Sequence, residues 1–331
     1  MATRAFARAR HEGVVTVQWR AWAAALCLAA AAAVTAQPLA PGVVLVPGGF
    51  EAGRQPDGNS LLLQGDQGWL LIDSGRHRAH SETALAAAGG QVRAVLNTHW
   101  HLDHLGGNAW LRSQRPGLEV WASPAVAQAL AADGWLDRYR RQLVEAIPTT
   151  PPEQAAVMLV DLDLLNQAQA LHPDHEIRAA STQTIAGRRL QIGVETAVSG
   201  GDLWVLDKAS GTLAAGDLVT LPVPFMATAC PPAWREALAR ISAQPFQRLV
   251  PGHGPVMNRA DFERWRGGFG ALLDCADQGL HPAACAAVWR SRVDSWLDEA
   301  GRARVNGMLG YYFKTLLQAP TEQRERFCRR P

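Results

Sequence analysis

The sequence lacks a broad excess of charge, a short-period repeat and a long low-complexity linker. Its 331 residues include 32 Lys and Arg against 30 Asp and Glu. Setting aside four arginines and one glutamate in residues 1–36 leaves 28 basic and 29 acidic residues. A body this close to neutral has no basic field to hold nucleic acid, so nucleic acid is not expected as a partner. The length and the 48% hydrophobic content allow one large domain with an appendage, or two domains.

The N-terminus also lacks a hydrophobic run long enough to span a bilayer. Residues 21–34 (AWAAALCLAAAAAV) are apolar and Ala-rich, but a membrane-spanning helix needs about 20 such residues. The run follows a basic segment that ends at Arg20, and Val34-Thr35-Ala36 supplies small residues at the positions that a signal peptidase prefers. Residues 1–36 are therefore predicted to be a signal peptide, with a periplasmic mature protein that has no stable membrane insertion. A single N-terminal membrane anchor is the alternative.

Cysteine is sparse, with five residues in the chain. Cys27 lies in the apolar run, and Cys230, Cys275, Cys285 and Cys328 remain, an even number suited to an oxidising compartment. Cys275 and Cys285 are close in sequence across a predicted turn, which favours a disulfide between them and leaves Cys230 to Cys328. Sequence alone allows three connectivities, and four buried free thiols are a further alternative.

Strand and helix signals alternate twice along the chain. Strand-like runs begin at Gly42 with VVLVP, SLLLQGD and GWLLIDSG, and a second set follows two predicted helices as TQTIAG, RRLQIGVETAV, DLWVLD and TLAAGDL. Hairpin turns are predicted at residues 65–68, at Ala186-Gly187 and at residues 209–211, where glycines separate two strand-like runs. Helices are predicted over 80–88, 125–146 and 233–244, and again from about Arg259 onward. This layout predicts an α/β (α+β) fold of two similar halves, packed sheet on sheet with helices outside.

The segment NTHWHLDHLGG, residues 97–107, holds three histidines and an aspartate within six positions. His99, His101 and Asp103 alternate by two, so on an extended segment their side chains point the same way, while His104 would begin the next helix. Imidazole and carboxylate are the ligands that suit zinc, with iron or manganese as alternatives. The sequence therefore predicts a metal site after the buried strand VRAVLNT.

These residues resemble the metallo-β-lactamase superfamily, whose pattern His-x-His-x-Asp-His follows a strand. The resemblance extends over about 42–257, through Asn59-Ser60, Ile72-Asp73-Ser74-Gly75, Gly216-Asp217 and Pro251-Gly252-His253-Gly254. It implies a four-layer αββα sandwich over residues 37–258, with residues 259–331 as a helical C-terminal extension packed on it.

The resemblance also implies the roles of individual residues. His99 and His101 would hold a first metal ion, and Asp103, His104 and His253 a second. Asp217 would bridge the two ions. Asp73 would be the buried aspartate that steadies the histidine loop.

One ligand of the superfamily pattern is lacking. In TAVSGGD, alignment on Gly201-Asp202 places Val198 where the superfamily usually has a third histidine for the first metal. Valine cannot ligate, and Glu195 is the first candidate for a substitute if the loop shifts. We therefore expect one tightly bound zinc ion and a weaker second one.

The predicted signal peptide and the resemblance together imply an exported hydrolase that uses a zinc-bound hydroxide on a small ester or thioester. Asp103 is the predicted catalytic residue, which would orient the water or take its proton, and His99 and His101, if free of metal, are the alternative. The bridging Asp217 is more typical of thioesterases, lactonases and phosphodiesterases than of true β-lactamases. The export signal and the Cys- and Trp-rich tail look similar to periplasmic zinc metallohydrolases of quinoprotein and sulfur-oxidation systems, which suggests a periplasmic redox partner. The alternatives are a non-hydrolytic metal-binding accessory protein of such a system and a purely structural metal.

Overall fold

Two β-sheets face each other at the centre of the protein. The computed structural model describes residues 35–51 and 53–328, which belong to one compact unit. The predicted signal peptide lies outside the described residues except for its last two positions. Within the described ranges, no helix has both the length and the apolar character needed to cross a bilayer.

The first sheet has seven strands in sequence order: β1 Gln37–Ala40, β2 Val43–Val46, β3 Ser60–Gly65, β4 Gly68–Ile72, β5 Val92–Leu96, β6 Glu119–Ala122 and β7 His175–Glu176. Strands β1 to β4 pair antiparallel, and Gly65 lies opposite Gly68 in the expected hairpin. Strands β4 to β7 pair parallel, so helical crossovers connect them. The sequence patterns missed β1, β6 and β7, which are short.

The second sheet has six strands: β8 Ser181–Ile185, β9 Arg188–Glu195, β10 Asp202–Asp207, β11 Thr212–Thr220, β12 Arg248–His253 and β13 Met257–Asn258. Their spatial order is β13-β12-β11-β10-β9-β8. All neighbours pair antiparallel except β11 and β12, which are parallel. The expected hairpin turns at Ala186-Gly187 and at residues 209–211 are confirmed.

The helices are α1 Arg78–Ala87, α2 Leu102–Leu105, α3 Asn108–Gln114, α4 Pro124–Leu130, α5 Trp135–Ala146, α6 Pro152–Asn166, α7 Ala168–Leu171, α8 Pro231–Ser242, α9 Arg259–Asp277, α10 Pro282–Val293, α11 Glu299–Tyr312 and α12 Thr321–Arg324. The single helix expected over 125–146 is wrong, because the chain turns between α4 and α5. Asp133 has a left-handed φ of 59°, and a Cβ at Gly134 would lie 2.3 Å from the Gln128 carbonyl oxygen.

The layers follow from the alternation of apolar residues along the strands. Leu61 and Leu63 of β3 pack between the sheets against residues such as Leu190 of β9, while Leu62 faces outward toward α1 and α3. The outer face of the second sheet is covered by α8 to α11, whose fully buried aromatic side chains include Trp234, Trp265 and Trp289. The expected αββα sandwich is confirmed.

Two disulfides join the C-terminal helices to the rest of the protein and to each other. Cys230, immediately before α8, is bonded to Cys328, and Cys275 of α9 is bonded to Cys285 of α10. The pairing favoured from the sequence is therefore the one in the structure.

Candidate metal centre

The candidate ligands meet at one edge of the two sheets. Strand β5 ends at Leu96, and residues 97–101 follow it to the start of α2. Strands β11 and β12 of the second sheet bring Asp217 and His253 to the same place. Two groups of side chains result, each with ligand atoms within 4.8 Å of one another: His99, His101 and Asp217, and Asp103, His104 and His253.

Asp217 lies between the two groups. Its Oδ2 is 3.5 Å from His99 Nε2 and 3.4 Å from His101 Nδ1. Its Oδ1 is 3.3 Å from His104 Nε2 and 3.6 Å from His253 Nε2. One carboxylate therefore faces both groups.

Asp103 belongs to a different group from the one that alternation predicts. Residues 98–100 form a bend and helix α2 begins at Leu102, so Asp103 lies in the first turn of the helix and not on an extended segment with His99 and His101. The helical turn directs Asp103 toward His253, with 3.0 Å between Oδ2 and Nε2. His99 and His101 do remain together, with ring centroids 4.4 Å apart.

Buried polar atoms without hydrogen bonds converge at the centre. Among the described residues, His99 Nε2, His104 Nε2 and Asp217 Oδ1 are buried and have no hydrogen-bond partner. Buried polar atoms in folded proteins are nearly always paired, so three convergent unpaired atoms need another partner. Imidazole nitrogen and carboxylate oxygen are the donors that zinc takes. The donor set thus fits a metal ion.

The electrostatics of the cluster favour a cation. Burial opposes a charge on His104, but the carboxylates of Asp217, Asp73 and Asp103 outweigh it and raise the His104 pKa well above its usual range. Burial likewise opposes ionisation of Asp103 and Asp217, yet the neighbouring imidazoles hold both carboxyl pKa values well below the usual range. Because the carboxylates stay ionised, the cluster attracts positive charge, and a bound metal would displace the proton from His104.

Asp73 connects the histidine loop to the sheet. Its Oδ1 accepts a hydrogen bond of 2.7 Å from the Thr98 backbone N–H. Its Oδ2 accepts one of 2.8 Å from the Thr98 hydroxyl and lies 2.8 Å from His104 Nδ1. With Nδ1 as the donor, His104 presents the lone pair of Nε2 to the centre.

Two glycines allow the backbone to approach the centre closely. A Cβ at Gly58 would lie 2.4 Å from the His104 ring, and one at Gly252 would lie 2.1 Å from Asp217 Oδ1. Any larger residue at either position would push a candidate ligand out of place.

Comparison with known proteins identifies the family. The family model of the metallo-beta-lactamase superfamily matches residues 53–253, which is more than half of the chain. The chain belongs to the metallo-β-lactamase superfamily. Members of this superfamily are in general hydrolases that bind metal, typically zinc.

Solved structures of the superfamily share the fold. A metallo-β-lactamase family protein of Thermus thermophilus superposes with a TM-score of 0.55 and 19% identity, over 84% of this chain and 95% of its own. The metallo-β-lactamase FIM-1 of Pseudomonas aeruginosa, solved in a mono-zinc form, has a TM-score of 0.51 and 18% identity, over 70% and 92%.

A curated relative matches part of the chain. The atrochrysone carboxyl ACP thioesterase of Aspergillus fumigatus is 43% identical over 74 residues, which are 21% of this chain and 24% of the thioesterase. The chain therefore spans about a quarter of the length of that relative.

Val198, which stands where the superfamily pattern has a third histidine, lies in the core. Val198 is fully buried, and its backbone N–H donates a hydrogen bond of 2.9 Å to Asp202 Oδ2. Its carbonyl accepts one of 2.9 Å from the Thr228 hydroxyl, which is 3.4 Å from His101 Nε2. Glu195 does not replace the missing histidine, because it is ion-paired to Arg240 at 2.6 Å and is in neither ligand group.

A buried arginine holds the outer oxygen of Asp103, and the sequence patterns did not find it. Arg76 Nη2 lies 3.6 Å from Asp103 Oδ1, and Arg76 Nη1 is paired with Asp161 of α6. The Asp161 Oδ2 accepts a hydrogen bond of 2.8 Å from the Tyr139 hydroxyl of α5. Burial opposes the charge on Arg76, but the two carboxylates raise its pKa above the usual value. The only sequence signal was its position directly after Ser74-Gly75.

His80 and His77, outside the ligand groups, contact the segment that leads into β3. His80 is 3% exposed, and its Nε2 lies 2.8 Å from the Ser60 hydroxyl. His77 Nδ1 lies 2.9 Å from Asp57 Oδ2. Both support the loop before β3, which the isolated spacing of these histidines could not indicate.

Aromatic side chains line two sides of the centre. The Phe50 ring lies 5.1 Å from the His253 ring, and the Phe225 ring lies 4.9 Å from the His101 ring. Phe50 is 38% exposed, whereas His101 and Asp103 keep only about a tenth of their side-chain surface open. The accessible part of the site is therefore narrow and flanked by apolar surface.

Proposed function

We propose that the protein is a metal-dependent hydrolase of small esters or thioesters. The observation that carries this proposal is the Asp217 carboxylate between two imidazole groups, with three buried ligand atoms that lack any other partner. The partial match to a thioesterase supports the choice of an acyl substrate.

We assign the ligands to two unequal metal positions. Asp103, His104 and His253 would hold one tight zinc ion, with Asp217 as a loose or bridging fourth donor that leaves a position for water. His99 and His101 share Asp217 as their third donor, and Val198 supplies none. The first position therefore binds a second ion weakly.

Zinc bound at this centre would lower the pKa of a coordinated water to about 7 and polarise a substrate carbonyl. Asp103 is the catalytic residue because its Oδ2 faces the ligand cluster and its side chain is among the more open ones there. Arg76 Nη2 lies 3.6 Å from the other oxygen, and this ion pair favours one orientation of the carboxylate. Because the pKa of Asp103 is held well below its usual range, the carboxylate would stay ionised and orient the water as a hydrogen-bond acceptor. Phe50 and Phe225 exclude water from the acyl part of a substrate.

We also propose a periplasmic location, with a redox partner of a quinoprotein or sulfur-oxidation system. Two disulfides support an oxidising compartment. The predicted signal peptide supports export.

The test is hydrolysis of 4-nitrophenyl acetate and butanoate and of the matching acyl-pantetheine thioesters by purified mature protein. We expect turnover that disappears when a chelator removes the metal and returns with zinc. Asp103→Asn should lower kcat/KM by about 100-fold or more. The control is Asp163→Asn, which removes the same charge from an exposed position of α6 and should leave turnover unchanged. Turnover by chelated protein at the wild-type rate would contradict the proposal.

A second candidate is a metal-binding accessory protein without hydrolytic activity, which the buried Val198 favours because it removes one ligand. It predicts bound metal and ligand-dependent stabilisation, with no turnover of esters, thioesters, lactones or phosphodiesters. The same panel, extended by a lactone and a phosphodiester, therefore separates the two candidates.

A further inference from the structure

Helix α11 of the C-terminal extension runs alongside the cleft from one ligand group to the other. In its second turn, the Arg304 guanidinium carbon lies 4.5 Å from the centroid of the Phe50 ring, which is the ring next to His253. At its end, the Tyr312 ring lies 6.3 Å from the Phe225 ring. Eight residues of helix separate Arg304 and Tyr312, a rise of about 12 Å.

The position of α11 is set by packing. Val305 and Leu309 are fully buried in the apolar core beneath the second sheet, and Tyr312 is 3% exposed. Phe225 lies between Tyr312 and His101 and packs against the same core. Since these contacts fix the helix axis, the direction in which Arg304 leaves the helix is fixed as well.

Arg304 differs from other arginines of the C-terminal helices in its partners. Arg302 on the same helix lies 2.7 Å from Asp294, and Arg264 and Arg324 also have carboxylate partners. Among the residues that the structure describes, no carboxylate lies within ion-pair distance of Arg304, and its contact is the face of Phe50.

The positive charge of Arg304 is not neutralised by an ion pair within the described residues. The side chain is half-buried, and this burial lowers its pKa, with only the more distant charge of Asp298 opposing the shift. Part of the side chain stays in water, and no carboxylate of the described residues occupies the guanidinium N–H groups, so they remain available to an anion. Its planar donor fork suits a carboxylate or phosphate, and stacking on Phe50 keeps the fork in one plane.

We propose that Arg304 forms an anion-binding subsite at the mouth of the cleft, so that the preferred substrate is an ester or thioester carrying a carboxylate or phosphate away from the scissile carbonyl. This inference rests on the proposed hydrolase function. In the bound substrate, the carbonyl lies at the ligand cluster and the chain passes Phe50 to reach Arg304. The C-terminal extension thereby contributes to substrate choice, since Arg304 belongs to it.

Two matched substrate pairs test the subsite and separate its two anion classes. Mono-4-nitrophenyl glutarate is compared with 4-nitrophenyl pentanoate, which places a carboxylate on the acyl side. Acetyl-phosphopantetheine is compared with acetyl-pantetheine, which places a phosphate on the leaving group. We expect zinc-loaded wild type to prefer the anionic member of at least one pair by about tenfold in kcat/KM, mostly through KM.

Arg304→Gln should abolish that preference, and Arg304→Lys should retain part of it because the charge remains. The matched control is Arg302→Gln, which removes one positive charge from the same helix at a residue already paired with Asp294, and should leave the ratio unchanged. Melting temperatures of all three variants check that α11 is still packed. The same ratio in Arg304→Gln as in wild type would overturn the subsite while leaving the hydrolase function intact.

If no substrate is turned over, the hydrolase function is refuted, but the subsite is not. A binding measurement then tests the subsite by itself. Glutarate and phosphopantetheine are titrated calorimetrically into zinc-loaded wild type, Arg304→Gln and Arg302→Gln. About tenfold weaker binding of either anion by Arg304→Gln alone supports the subsite. Equal affinity of the three proteins for both anions overturns it.

Discussion

Replacing Asp73 by asparagine should weaken both the fold and the metal centre, and the structure isolates the reason. Asp73 is 2% exposed and has a left-handed φ of 59°. Asparagine tolerates that backbone conformation and has nearly the same shape. The substitution therefore removes one acceptor and one charge with little backbone strain.

The magnitude follows from the three hydrogen bonds that Asp73 accepts. The amide oxygen can keep the Thr98 backbone bond, which leaves the NH2 group facing His104 Nδ1. Either two donors then meet, or the imidazole moves its proton to Nε2 and loses the lone pair needed for a metal. Loss of a charge-assisted bond with a buried donor left unpaired predicts about 3 kcal/mol of lost stability in metal-free protein. Zinc affinity should fall by about 10- to 100-fold.

The assays are urea unfolding of metal-free protein and zinc titration against a competing chromophoric chelator. Asp133→Asn is the matched control, because Asp133 has the same φ of 59° but an exposed side chain. We expect the control to change stability by less than about 0.5 kcal/mol. If Asp73→Asn matches the control in both assays, the hydrogen bonds of Asp73 to Thr98 and His104 do not hold the histidine loop.

Three further predictions concern other parts of the protein. Val198→His should raise the zinc content measured by native mass spectrometry from about one to about two ions per chain. It should also lower the unfolding free energy of the metal-free protein by about 1–3 kcal/mol, because the larger side chain overpacks the core. Two zinc ions in wild type would contradict the assignment of a vacant ligand position to Val198. Burial opposes ionisation of Asp57, but hydrogen bonds from His77 outweigh it and lower its pKa from 3.8 to about 2. Its contribution, up to about 2 kcal/mol, is present above pH 3.8 and lost as pH falls through about 2, so wild type should lose more stability than Asp57→Asn in acid unfolding. The Cys230–Cys328 disulfide joins residues 98 apart, so Cys328→Ser should lower the unfolding free energy by about 4 kcal/mol, and a reductant should remove the difference between variant and wild type.

The sequence by itself determined the features that depend on local pattern. Apolar alternation and turn residues predicted most strands of both sheets, and the two hairpins of the second sheet lie where the glycines indicated. The spacing of His99 and His101 predicted that they share one group, as they do, although residues 98–100 form a bend and the same alternation failed for Asp103. Resemblance to the superfamily indicated Asp217 and His253, which no spacing rule could connect to residues more than a hundred positions away.

Only the tertiary structure shows which charged side chains from distant segments form ion pairs. Arg240 of α8 pairs with Glu195, which is therefore in neither ligand group, and Arg76 pairs with both Asp103 and Asp161. Arg304 reaches Phe50, the ring next to His253, only because α11 packs under the second sheet. Local pattern reports which face of an element is apolar, whereas an ion pair or its absence depends on which elements meet. That is settled by packing of the whole core, so these residues could not be read from the sequence.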